Sequence, residues 1–247
     1  MQSDILTAAD GLADVKLGKS GLGQKNSPNE GQELRTAAIL EEAIALCEGD
    51  DFEQQHARQV AKLAIKLFDK LQPLHRMGNS ERIWLRVASL LHDVGKSVSG
   101  VYHHKASRDI IVKQADLPFR KRVRKIIGLV ARYHRGALPS DSHKYYRGLK
   151  DDEKQCVKVL AAILRLADGL DAKHEGLVTD LACEVQRKRI ILYILSRDGV
   201  DLRKVSKKAD LFEQVFGREV EIRAVAAGRV RDINLDSSRS RVYAHAA

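Results

Sequence analysis

The chain has 247 residues, 44% apolar and 31% charged, a globular composition whose length suits one large domain or one domain with a small appendage. Its 43 Lys and Arg against 33 Asp and Glu give a net charge of +10, which favours anionic partners such as phosphates and nucleotides. The 5% aromatic content, with no basic stripe interleaved with stacking rings, argues against nucleic acid; the lack of any apolar window near ~20 residues and of a secretory pattern leads to the expectation of a cytoplasmic protein with no membrane partner.

Residues 1–33 are rich in Gly, Ser, Asp, Asn and Lys with sparse apolar patches, and are expected to form a disordered tail. From Glu33, the spacing of Leu34, Ala37, Ile39, Leu40, Ala43 and Ile44 predicts an amphipathic helix that stops near Gly49. A second helix is predicted over 51–72, where His56, Val60, Leu63, Ala64, Leu67, Phe68 and Leu71 share one face, so His56 points inward. Glu81 to Val94 reads as a third, with Gly95 where a C′ glycine belongs and His92-Asp93 in its last turn. Helices follow over 107–115 and 119–134, separated around Pro118, and a long one over 151–170, six helices in all before residue 172. Then the texture changes. Leu181–Val185 and Arg189–Leu195 read as strands around a basic turn, Ala209–Phe216 as a helix and Glu219–Val225 as a strand, and the residues after 226 as a flexible basic tail. The three cysteines, Cys47, Cys156 and Cys183, lack Cys-x-x-Cys spacing and are expected to be reduced, buried thiols.

Hydrolytic metal sites need histidines and carboxylates that arrive from several elements. This chain offers His56 on an inward helix face, His92-Asp93 at a helix end, His104 in the following loop, His134 closing another helix and Asp168 on the long helix. Singly, each has a plain structural explanation: a satisfied core histidine, an ordinary last turn, a C-cap, a partner for Arg165. Together, buried His and Asp on separate inward faces would cost several kcal/mol in desolvation unless they neutralise one another or hold a cation. Lys96 and Arg135, beside this set, are placed to meet phosphate oxygens, with Arg165 a weaker candidate; solvated surface charge is the competing explanation for each. His103 precedes His104 directly and could replace it as the ligand. Asp171 could face the same cleft, though pairing with Lys173 or Arg165 is at least as good an account, and His75, His143 and His174 lie in polar connections. Phosphate-loop, dinucleotide and nucleophile-elbow motifs are absent.

The order His56, then Leu91-His92-Asp93-Val94-Gly95-Lys96, then Asp168 within Arg165-Leu166-Ala167-Asp168-Gly169-Leu170-Asp171 resembles the His, His-Asp, Asp signature of the HD phosphohydrolase superfamily. With His104 to Ser107, Asp109-Ile110-Ile111, Ala131 to Arg135, and the later Lys207, Phe212 and Phe216-Gly217, the chain over about 35–225 is similar to the C-terminal HD-type region of exopolyphosphatase and guanosine pentaphosphate phosphatase proteins. It departs from that family in lacking the actin-like domains that carry the family's own hydrolytic site, and in having Ala106 where a second loop histidine is common. The resemblance implies a mostly α fold: an HD helical bundle over 34–178 with an α+β appendage over 179–226. It further implies one or two divalent ions (Mn, Mg, Fe, Ni or Zn) held by His56, His92, Asp93, His104, His134 and Asp168. Catalytic roles fall to Asp93 and Lys96, and substrate contacts to Lys96, Arg135 and Arg165. The expected activity is metal-dependent hydrolysis of a phosphate ester or anhydride of the nucleotide, alarmone or polyphosphate class. The alternative is a catalytically silent module that binds polyphosphate or nucleotide or regulates a separate phosphatase. A homodimer is compatible with either.

Overall fold

The computed structural model describes residues 51–113, 117–197 and 200–225, together with Ala38, Ile39, Glu41 and Ala43. Both expected tails, and Cys47, lie outside the described residues. The four described positions of the first expected helix are helical, with Ile39 and Ala43 buried.

Helix α1, Asp51–His75, follows its predicted face: Val60, Leu63, Ala64, Leu67, Phe68 and Leu71 are buried, and so is His56. It runs past Pro73 and is stopped by Arg76, whose φ of 54° breaks the helical repeat. Helix α2, Asn79–Leu91, begins where Gly78 N–H donates to Glu81 Oε2 at 2.9 Å, and ends with His92 as its C-cap. Asp93 is already outside the helix, and the chain tightens into a 3-10 turn, Val94–Ser97. Gly95 is therefore no left-handed C′ glycine. A Cβ there would lie 2.4 Å from both His103 O and Ser107 N, so the glycine is needed to let the next helix come close, and its N–H donates to Ser107 Oγ at 2.9 Å.

That next helix, α3, spans His103–Lys113, starting four residues before the predicted one. His103 and His104 thus occupy a first helical turn where a loop was expected, because Tyr102 already starts the turn: its N–H donates to Ser99 Oγ and its carbonyl accepts from Lys105. Helix α4, Lys121–Arg132, packs on α3, and Gly128 again permits the approach, since a Cβ would stand 2.9 Å from Val112. The short α5, Lys144–Arg147, was not foreseen. Helix α6, Asp151–Leu170, has the predicted bounds; its first turn is acidic and Lys150 N–H donates to Glu153 Oε2 at 2.9 Å. It packs against α1, α2 and α4 and is buried along most of its length.

Three strands follow in spatial order β1-β2-β3: Val178–Val185 and Arg189–Ser196 pair antiparallel, and Glu219–Ala224 runs parallel to β2. The crossover between β2 and β3 carries α7, Leu202–Ser206, which the sequence did not suggest, and the expected α8, Asp210–Phe216. The architecture is mostly α with a small α+β appendage, as expected. One apolar cluster runs through both parts, from Val60 and Leu164 to Ile190, Leu211 and Phe212, with β1 against α1 and α8 against α6. Cys156 is buried and Cys183 half-buried, both as free thiols. Among the described residues no helix is long and apolar enough to cross a membrane.

Candidate metal centre

Five segments end at one point. His56 comes from the second turn of α1, His92 and Asp93 from the end of α2, His103 from the first turn of α3, His134 from just past α4 and Asp168 from the last turn of α6. Three of the imidazoles are locked in the same way: Nδ1 of His92, His103 and His134 donates to the carbonyl three residues back, at 2.7 Å to Ser89, 2.8 Å to Gly100 and 2.8 Å to Ala131. An Nδ1–H donor leaves the Nε2 lone pair free and fixes its aim. His56 achieves this with a carboxylate, Nδ1 lying 2.7 Å from Asp171 Oδ2, while Asp171 Oδ1 accepts from Gly176 N–H at 2.8 Å.

All four Nε2 atoms face the two central carboxylates. Asp168 Oδ1 lies 3.5 Å from His56 Nε2 and 3.8 Å from His92 Nε2. Asp93 divides its oxygens: Oδ2 lies 3.5 Å from His92 Nε2 and 4.0 Å from His56 Nε2, and Oδ1 lies 3.2 Å from His103 Nε2 and 3.6 Å from His134 Nε2. Ligands about 2.1 Å from one ion stand roughly 3 Å apart at right angles and about 4.2 Å apart in opposition, the range seen here. Within each of three trios, His56/His92/Asp168, His56/Asp93/His174 and His92/Asp93/His134, the ligand atoms lie within 4.8 Å of one another. His56 Nε2, His92 Nε2 and Asp93 Oδ1 are buried without a hydrogen-bond partner. Leaving such atoms unsatisfied is costly, and a divalent cation would satisfy all three at once. The donor set of imidazole nitrogens and carboxylate oxygens suits such an ion.

The same carboxylates govern the protonation of the imidazoles, and a cation at His56 Nε2 would take the place of a proton that they favour. Burial alone would push the His56 pKa down, but Asp168 and Asp171 overcome it and raise it to about 9. Burial works against ionisation of Asp93 and Asp168, yet His92, His103, His134 and Lys96 around the first, and Lys208 and His56 around the second, hold both carboxyls well below their usual range. Burial and the neighbouring His92 drive His134 far below an ordinary histidine, while Asp93 raises His103.

Outward from this centre opens a cleft of about 450 Å³ with a basic rim: Lys96, Arg135, Lys204, Lys207 and Lys208. Lys96 Nζ lies 2.7 Å from both Asp93 Oδ2 and Glu53 Oε2, and Lys208 Nζ contacts Asp168 Oδ2. Arg135 reaches His103 Nε2 at 3.5 Å. Arg165 borders the cleft, but its guanidinium is occupied by Asp210, at 2.7 and 2.8 Å, and by the carbonyls of Tyr133 and Gly136. The structure thus brings His56, His92, Asp93, His134 and Asp168 together, with Lys96 and Arg135 beside them. At the loop position it is His103 that faces Asp93. His104, one residue on, points along a different side of α3 toward Gly136, and burial, then Arg132, lower its pKa to about 4.

Sequence reasoning passed over His174 and Lys208. His174 stacks on His56 with ring centroids 3.5 Å apart and planes 2° off parallel, from a backbone at φ 59°, and no periodic pattern marks it. Lys208 comes from the appendage, 40 residues after the carboxylate it touches. Asp171, for which pairing with Lys173 or Arg165 was the competing account, is the carboxylate that orients His56. A family model described as Ppx/GppA phosphatase, domain III, matches residues 41–214. No curated protein matches the chain.

Proposed function

Since the chain belongs to the Ppx/GppA phosphatase domain III family, we propose that it is a divalent-metal-dependent phosphohydrolase of the HD type, acting on a phosphate ester or anhydride of the nucleotide, alarmone or polyphosphate class. The observation that carries this reading is the convergence of four imidazole Nε2 atoms on Asp93 and Asp168, with His56 Nε2, His92 Nε2 and Asp93 Oδ1 left buried and unsatisfied. His56, His92 and Asp168 would hold one ion, and His92, Asp93 and His134 would hold a second, with His103 beside Asp93 Oδ1. A divalent ion in such a site supplies water of lowered pKa and neutralises charge at phosphorus.

The protein's own groups do the rest. Asp93, with one oxygen toward each imidazole pair, is placed to orient an attacking water. Lys96 and Arg135, on the cleft wall beside it, are placed to meet the non-bridging oxygens of the phosphoryl group, where a fixed cation gains most as negative charge builds. The Nδ1 locks on His92, His103 and His134 keep the imidazoles from reorienting during the reaction. Arg165, spent on Asp210, is left out of the substrate set.

Metal content by elemental mass spectrometry, wild type beside Asp93→Ala, tests the proposal, followed by divalent-metal screens on phosphomonoester, phosphodiester and phosphoanhydride substrates. We expect one or two equivalents of metal in the wild type, lost in the variant together with metal-dependent turnover. Wild-type protein that takes up no metal and turns over no substrate would overturn it in favour of a silent anion-binding module, in which Lys96 and Lys208 are the permanent partners of the two carboxylates.

A further inference from the structure

The cleft above the centre carries more positive charge than one phosphoryl group can use. At about 450 Å³ it falls in the range of pockets that enclose a whole small-molecule ligand, roughly 300–1,000 Å³. Six Lys and Arg side chains line it, against two carboxylates, Asp93 and Asp168. Three of the six are engaged: Lys96 by Asp93 and Glu53, Lys208 by Asp168, and Arg165 by Asp210. Arg135 stands 3.5 Å from His103 Nε2, at the metal end of the cleft. Lys204 and Lys207, on the appendage wall, are exposed and have no ion-pair partner among the described residues. The carboxylate of Asp201, at the start of α7, is taken by Arg203.

The backbone fixes where these two lysines stand. Gly169, the residue after Asp168, lets α7 press on the last turn of α6: a Cβ there would come within 3.4 Å of Val205 Cα and 3.3 Å of Lys208 Cδ. Val205 is fully buried and anchors the turn between Lys204 and Lys207. Helical hydrogen bonds run on past α7, with Lys207 N–H donating to Arg203 O at 3.2 Å and Lys208 N–H to Val205 O at 2.9 Å. Lys204 and Lys207 are thus three apart on one helical turn, a spacing that puts Cβ atoms about 5–6 Å from one another on the same face. Lys208, next along, turns its ammonium inward to Asp168. Like charges at this spacing repel, and an anion shared between them offsets that repulsion.

We propose that Lys204 and Lys207 form a second phosphoryl subsite, so that the substrate carries at least two linked phosphoryl groups, one at the metal centre against Lys96 and Arg135 and the next against this lysine pair. A linked pair of phosphoryl groups fills both subsites; a simple monoester fills only the first. Which group reacts rests on the hydrolytic function proposed above, but the subsite is made of the chain's own cations and binds without any reaction. Lys204 and Lys207 act as specificity residues, since they meet the group that is not transferred.

The test titrates the full-length protein as purified, by calorimetry at constant ionic strength, with two phosphonates that are not hydrolysed: methylenediphosphonate, which has two linked groups, and methylphosphonate, which has one. The wild type is expected to prefer the diphosphonate by about tenfold. Lys204→Gln and Lys207→Gln should each weaken diphosphonate binding about three- to fivefold and the double variant about tenfold, with methylphosphonate affinity within about twofold of wild type. That split separates a subsite from a diffuse field, which would weaken both ligands in proportion to their charge. Lys188→Gln removes an exposed lysine in the turn between β1 and β2, outside the cleft, and should leave both affinities unchanged. In kinetics, KM for pyrophosphate should rise in the double variant while KM for p-nitrophenyl phosphate does not. Diphosphonate binding that depends on the two lysines in a protein that hydrolyses nothing would uphold the subsite and refute the hydrolytic function instead. Equal wild-type affinity for the two phosphonates, losses in the double variant that follow ligand charge alone, or the same loss in Lys188→Gln overturns the proposal.

Discussion

The helical body and the appendage meet at the same cleft but equip it differently. From the body come short, stiff side chains whose spare nitrogens are tied to their own helix ends: His92, His103 and His134 each bond a carbonyl three residues back, and His56 is held by Asp171. From the appendage come lysines, Lys204, Lys207 and Lys208, on long stems; Lys208 has a quarter of its side chain in solvent. The first kind of group can hold ligand atoms to a fraction of an ångström; the second is a point charge that can follow a substrate. The contrast argues for a division of labour in which the body fixes the centre and the appendage tunes the charge at its mouth. Arg165 joins the two parts, reaching from α6 to Asp210 at the start of α8.

If the body's rigidity is what makes the centre, the severest way to break it lies at its tightest backbone contact. Gly95→Ala puts a methyl group 2.4 Å from His103 O and Ser107 N, backbone atoms that can move only with α3. We expect a loss of about 3 kcal/mol of stability in denaturant unfolding, at the upper end for overpacking, with a drop in metal affinity in the folded fraction because His103 shifts. Unchanged stability would mean that α3 slides freely, and with it the notion of a rigid body. A milder change sharpens the same point. Asp171→Asn keeps the shape but no longer favours His56 Nδ1 as a donor over the other tautomers, and losing such an orienting partner typically costs 10–100-fold in metal affinity. Titration with a metal-sensitive dye should show that loss with little change in melting temperature; equal affinity would mean that the stacked His174 ring alone aligns His56.

The same contrast explains what could be read from the sequence. The body was legible because its faces repeat: the apolar rows of α1 and α6 fix which way His56 and Asp168 point, and α6 has the bounds expected of it. Turn chemistry was less so. Gly95 sits where a C′ glycine would, yet is required for a close approach between elements that only the folded chain brings together. The one-residue choice between His103 and His104 depends on where α3 starts, and Ser99 with Tyr102 moves that start back into what looked like a loop. Nothing local marks Lys208 or His174, because a cation from the crossover and a strained residue past a helix end acquire meaning only through the surfaces they meet.

The appendage's share is the most finely balanced, and Lys208→Met measures it. The stem of Lys208 lies over Gly169, where a Cβ would come within 3.3 Å of its Cδ, so α6 is shaped to receive it. Its ammonium touches Asp168 Oδ2, the outward oxygen, and leaves Oδ1 toward His56 and His92. A competitor for the metal would be expected on the inward oxygen; this lysine instead turns the carboxylate so that Oδ1 points in. Two opposing effects then follow from removing it: the carboxylate loses a guide, and the centre loses a repelling positive charge. With Asp168 almost fully buried and its backbone fixed in α6, the guide matters less, so metal affinity should stay within about threefold of wild type while KM for a phosphorylated substrate rises several-fold and kcat changes little. Should metal affinity fall by tenfold or more instead, the appendage would be a structural member of the centre and the division of labour between the two regions would be wrong.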